Sequence, residues 1–230
     1  MTIALNAILT VLVVIAHPDD ETLFGGFLHA LTHKLNASVH LVCVTNGEGG
    51  NRHAGLSESF YGNLKLSEET IGRKHLPRIR QQELFGSGRI VDINTTSHEQ
   101  WDKEWIIQQF QHTIKHGNGA NGYDLMVVIL PNVDSSDHHT ASGLLALEAI
   151  DRLQQVKSPD IIIPTVIGGS EFILTQTPAY PANRLADVLT NVEFRFNLRW
   201  KVSNSPVVDY QTVLFWMAAE HKSQGGLVNE

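Results

Sequence analysis

The run VLVVIA at 11–16 is apolar at odd and even positions alike and four of its six residues are β-branched. It ends abruptly in His17, Pro18, Asp19, Asp20 and Glu21. A segment with no polar face to give to water reads as a strand covered on both sides, the kind that parallel sheets use. Three adjacent carboxylates at the end of such a strand repel one another, and a bound cation is the most economical balance for that charge.

The rest of the chain repeats the opening pattern. VHLVCVT (39–45), RIVDIN (89–94), LMVVIL (125–130) and DIIIP (160–164) read as further buried strands, and stretches of helical period fall at 21–34, 67–86, 101–116 and 138–156. Strand and helix alternate, which predicts an α/β fold: a mainly parallel, doubly wound sheet with helices on both faces. Ligands of such sheets bind beyond the carboxyl ends of the strands. HPDDE follows the first strand, TNGEGG the second and PNVDSSDHH the fourth, so these three polar clusters are expected on one rim. The 230 residues are predicted to form one domain, 1–230. Residues 46–66, rich in Gly, Ser and Asn and without a clear period, read as a long loop: either a lid over a site or a floppy insertion. The region 165–208 has weak periodicity, and its EFRFNLRW alternation (193–200) reads as one late strand.

Charge excludes some partners. Lys and Arg total 17 against 24 Asp and Glu, a net charge of −7, so there is no basic footprint for nucleic acid and no polybasic membrane patch. The first 16 residues are largely apolar, yet they lack the positive start of a signal peptide and fall short of the roughly 20 apolar residues of a membrane span. They read as a lead-in and a first strand, and no membrane span is expected. The single cysteine, Cys43, lies in an apolar run and reads as a core thiol; a chain without an intrachain disulfide suits the cytoplasm. No G-x-G-x-x-G follows the first strand, which argues against a nucleotide-binding site there.

His17 and Asp20, three apart at a strand end, could both reach one cation, with a third ligand from Asp137-His138-His139. Two histidines and one carboxylate with an open fourth position form a recurrent catalytic zinc arrangement, although such a site accepts several divalent metals.

AHPDDE (16–21), TNGEGG (45–50), IRQQELFGSG (79–88), SDHHTASGLLALEA (136–149) and HKSQ (221–224) together resemble the successive motifs of the LmbE-like, PIG-L-type zinc-dependent N-deacetylases. The resemblance implies a Rossmann-like fold and hydrolysis of an N-acetyl group, usually from an N-acetylglucosamine unit, a small-molecule amino-sugar substrate. It assigns Zn2+ to His17, Asp20 and His138, the general base to Asp19, and a place near the sugar pocket to Arg80. Asp19 as base is the chemistry that metal-activated water needs, and orientation of a ligand is its alternative role. Asp137, grouped with Asp19 as catalytic, either caps the following helix or orients an imidazole. Glu21 is expected in a first helical turn, where it could also support a ligand, and His221 of HKSQ in a packing or structural role rather than a catalytic one.

One departure stands out. Relatives commonly read His-x-Asp-His, whose first histidine helps to stabilise the tetrahedral oxyanion; here the positions read Ser135, Ser136, Asp137, His138. Loss of one oxyanion donor typically lowers turnover by about 100- to 1000-fold. His139 could stand in for it beside the substrate, or could itself be the ligand if the register is off by one. Arg52, in the long loop, is a further candidate substrate contact. The expected function is therefore zinc-dependent N-deacetylation, with a catalytically weak metal- or sugar-binding protein as the alternative. Assembly into a homo-oligomer stays open.

Overall fold

The structure, a computed structural model, describes residues 8–45, 47, 76–90, 93–97, 102–130, 137–156, 158–169, 195–221 and 224. Strand β1 (Thr10–Ile15) leads through a 3-10 turn (Asp20–Phe24) into α1 (Gly25–Leu35) and β2 (Ser38–Cys43). Then come α2 (Leu76–Ile90), β3 (Ile93–Ser97), α3 (Lys103–Ala120), β4 (Leu125–Ile129), α4 (Asp137–Val156) and β5 (Thr165–Gly169). A small hairpin, β6 (Lys201–Asn204) and β7 (Val207–Asp209), precedes α5 (Tyr210–Glu220). The five strands of the main sheet run in the order β3-β2-β1-β4-β5, and every pair is parallel. This is the doubly wound arrangement expected from the alternation of elements, with β1 at the centre, Val13 opposite Leu41 on one side and Val127 on the other.

Strand β1 shows why its sequence is apolar throughout. Val11, Val13 and Ile15 pack with Leu28 and Leu31 of α1, Leu84 of α2 and Val213 and Met217 of α5. Leu12 and Val14 face the other way, into Ile107, Phe110 and Ile114 of α3 and Ala146 and Ile150 of α4. Each fully buried Val, Leu or Ile contributes about 1.5–3 kcal/mol relative to exposure. A charge anywhere within 11–15 therefore disrupts one of the two cores. Cys43 belongs to the first core, and burial followed by the nearby Asp20 and Glu21 charges pushes its thiol well above the ordinary value.

Local signals set several boundaries. Asp102 caps α3 by accepting the Trp105 N–H at 2.9 Å, and helical geometry is lost at Gly117, with Asn118 and Gly119 left-handed, so the regular helix ends where its period does. Asn36, at φ 53°, closes α1. Helix α2 begins at Leu76; the expected residues 67–75 lie outside the described residues.

Two strands are displaced from their expected positions. β3 starts at Ile93 rather than at 89, because Arg89 and Ile90 still belong to α2. β5 starts at Thr165 rather than at 160: Pro164 has no N–H to donate, and pairing with β4 opens with Thr165 donating to the Asp124 carbonyl at 2.9 Å. The late strand expected over 193–200 is absent among the described residues 195–200, and the local pairing is the β6-β7 hairpin just beyond. No described helix is long and apolar enough to cross a membrane.

Candidate metal centre and its carboxylate

The chain leaves β1 in a tight turn. The N–H groups of Asp19 and Asp20 both donate to the His17 carbonyl, at 2.9 and 3.2 Å. Asp20 then folds its own carboxylate back: Oδ2 accepts the N–H of Ala16 at 3.0 Å and of His17 at 2.7 Å. One carboxylate oxygen thus fixes the turn and the other, Oδ1, faces His139. Parallel pairing brings the start of α4, after β4, alongside this turn.

Nδ1 of His17 lies 3.2 Å from Nε2 of His139 and 3.5 Å from Asp20 Oδ2, and His139 Nε2 lies 2.9 Å from Asp20 Oδ1. The three ligand atoms all lie within 4.8 Å of one another. Donors on one tetrahedral ion with bonds near 2.1 Å stand about 3.4 Å apart, so two imidazoles and one carboxylate at these spacings fit a divalent ion. Burial alone would raise the Asp20 carboxyl; its bonds to His139 and His17 outweigh that and hold it well below the usual carboxylate range.

The register within the histidine pair differs from the expectation. His138 stands outside this triangle: its Nδ1 lies 2.9 Å from Nε2 of His17, the ring nitrogen that faces away from His139 and Asp20. His139, weighed in the sequence as a substrate contact or as the ligand of a shifted register, occupies the third corner. Helical geometry explains the exchange, because α4 already begins at Asp137 and consecutive helical residues point about 100° apart. Asp137 is exposed in the first turn of α4, where its charge favours the helix dipole.

Asp19 sits beside the triangle, and Nη2 of Arg80 lies 2.9 Å from its Oδ1. Arg80 is only 3% exposed and its Nη1 donates to the Gly47 carbonyl at 3.1 Å. The resemblance implied a place near the sugar pocket for Arg80; the structure shows its buried guanidinium against the expected general base. Gly47 has φ 79°, and a Cβ there would stand 2.8 Å from Arg80 Cδ, so both backbone and space call for glycine. Burial raises the Asp19 carboxyl above its ordinary value, Arg80 works against that, and the Asp20 and Glu21 charges add to it.

The sequence did not reveal the contact on the other side of Asp20. Glu21 and His221 are both fully buried, with Glu21 Oε1 2.5 Å from His221 Nε2. Their separate motifs were legible, the pairing was not. Arg52, Ser135, Ser136 and most of the 46–66 loop lie outside the described residues.

Comparison with known proteins identifies the family. The family model described as PIG-L, GlcNAc-PI de-N-acetylase, matches residues 12–163. A Bacillus subtilis protein named as a probable N-acetyl-alpha-D-glucosaminyl L-malate deacetylase 2 is 26% identical over 190 residues, 79% of this chain and 79% of that protein. The fold is shared with the N,N'-diacetylchitobiose deacetylase of Pyrococcus horikoshii, at TM-score 0.56 and 17% identity over 94% of this chain and 70% of that one. It is also shared with GalB, the 4-carboxy-2-hydroxymuconate hydratase of Pseudomonas putida, at TM-score 0.52 and 19% identity over 69% and 64%. A fold found in both a hydrolase and a hydratase does not choose the reaction.

Proposed function

The chain belongs to the PIG-L family, and on that premise we propose that it is a metal-dependent N-deacetylase that hydrolyses the acetamide of an N-acetylglucosamine derivative. The observation that carries this reading is the His17, Asp20, His139 triangle with the Arg80-held carboxylate of Asp19 beside it. The family description and the Bacillus relative both concern N-acetylglucosamine units joined to different small partners, which supports the sugar as the common element and leaves its aglycone to the chain's own loops.

His17 through Nδ1, Asp20 through Oδ1 and His139 through Nε2 would hold the ion, for which Zn2+ is our assignment. Such an ion supplies a Lewis acid that polarises the acetamide carbonyl and acidifies the attacking water. Asp19 accepts the proton of that water as its oxygen bonds to the carbonyl carbon, then delivers it to the amine as the carbon–nitrogen bond breaks, giving acetate and a free amino sugar. Arg80 holds Asp19 for both transfers. His138, against the outer nitrogen of His17, orients that imidazole.

A second reading is favoured by one feature. With His139 as ligand the four-residue pattern becomes Ser136, Asp137, His138, His139, and with His138 it is Ser135, Ser136, Asp137, His138. In both, a serine replaces the first histidine, which is the composition of a metal- and sugar-binding protein with little turnover. Acetate release from a panel of N-acetylglucosamine glycosides by the zinc-loaded protein decides the matter. Turnover that Asp19→Asn abolishes supports the deacetylase; one bound Zn2+ per chain with sugar binding and no acetate supports the second reading.

A further inference from the structure

Asp20 lies between two residues that are each gripped from a distant element. Before it, Asp19 is held by Arg80 of α2. After it, Glu21 is held by His221, the residue that follows α5 and lies 200 positions along the chain. Both partners of the second pair have no exposed side-chain surface. Helix α5 reaches this position because it packs closely on α1: a Cβ on Gly25 would stand 2.7 Å from the sulfur of Met217.

Stability does not account for the pair. A fully buried carboxylate and imidazole lose all their hydration, and a shape-matched apolar pair is often as stable or more so. Glu21 Oε2 and His221 Nδ1, moreover, have no hydrogen-bond partner among the described residues, so the pair carries a polar atom unsatisfied on each side. What the pair does supply is direction: one short bond fixes the start of the 3-10 turn, whose first residue, Asp20, presents Oδ1 to His139.

We propose that His221 is a positioning residue of the metal centre, acting through Glu21 to fix the turn that aims Asp20 and Asp19. The inference rests on the metal reading given above. It places a requirement for the metal site at the far end of the chain, outside the part matched by the family model.

Zinc affinity, measured by competition with a chromophoric chelator, tests it alongside melting temperature. His221→Phe should bind Zn2+ about 10- to 100-fold more weakly, and His221→Gln, which keeps a donor for Glu21 Oε1, should recover most of that loss. The double variant Glu21→Met, His221→Phe should melt at or above the wild-type temperature and still bind Zn2+ at least about 10-fold more weakly. That combination separates positioning from packing even where His221→Phe alone folds poorly. Wild-type affinity in the folded double variant, or equal losses in His221→Gln and His221→Phe, overturns the proposal while leaving the metal site intact. A wild-type chain that takes up no Zn2+ overturns the metal reading itself, and this inference with it.

Discussion

The guanidinium of Arg80 lies 2.9 Å from the carboxylate of Asp19 and opposes the burial and the two neighbouring acids that raise that carboxyl. The same side chain bonds the Gly47 carbonyl, so a residue of α2 joins the turn after β1 to the loop after β2. Arg80→Met leaves Asp19 unpaired in a buried setting. The loss of stability expected from breaking such a pair is about 3–5 kcal/mol, read by denaturant unfolding. Arg80→Lys keeps the charge but not the two-pronged reach; it should retain bound metal while turnover falls about 10-fold or more, and unchanged turnover would make the second prong irrelevant.

Asp19→Asn preserves the size of the side chain and removes its ability to take a proton. Because the three proposed ligands are untouched, bound zinc measured by elemental analysis should stay at the wild-type level. Acetate release should drop about 100- to 10,000-fold. Turnover within a few-fold of wild type would remove Asp19 from the proton transfers.

The histidine pair at the start of α4 gives opposite expectations for neighbouring residues. His139→Ala removes a corner of the triangle and should abolish stoichiometric metal binding. His138→Ala removes the contact to the outer nitrogen of His17 but leaves the three corners in place, and should weaken metal about 10- to 100-fold without abolishing it. The reverse pattern would return the ligand to His138.

The turn after β1 was legible because its residues act where they stand in sequence: an apolar run needs two covered faces, and three acids at its end need balancing charge. Parallel order then placed the Asp137 to His139 segment beside it. The choice between His138 and His139 was not legible, since it depends on the rotation of α4 about its axis. Nor were the pairs that reach across the fold, Arg80 with Asp19 and His221 with Glu21, because sequence spacing carries no information on which distant element packs over a turn. β5 was misplaced for a local reason: DIIIP is more apolar than the true edge strand TVIGG, which is half exposed and ends in two glycines.

His29 supplies a pH test independent of the metal. It is buried on α1, its ring stacked on His33 with centroids 4.0 Å apart and edge-on to Tyr210. Burial first, then the charges of His33 and Lys34, push its pKa down to about 4 from the ordinary 6.5. The unfolded chain therefore takes up this proton before the folded one as pH falls. The stabilisation from a neutral His29 is fully present above about pH 6.5, declines below it, and is gone once pH passes about 4. His29→Phe keeps an aromatic ring between His33 and Tyr210 and cannot be protonated. Its unfolding free energy should vary less steeply than that of the wild type between pH 6.5 and 4, with parallel curves above that window. Parallel curves throughout would mean that His29 titrates as it does in the unfolded chain, and that acid sensitivity in this range comes from other groups.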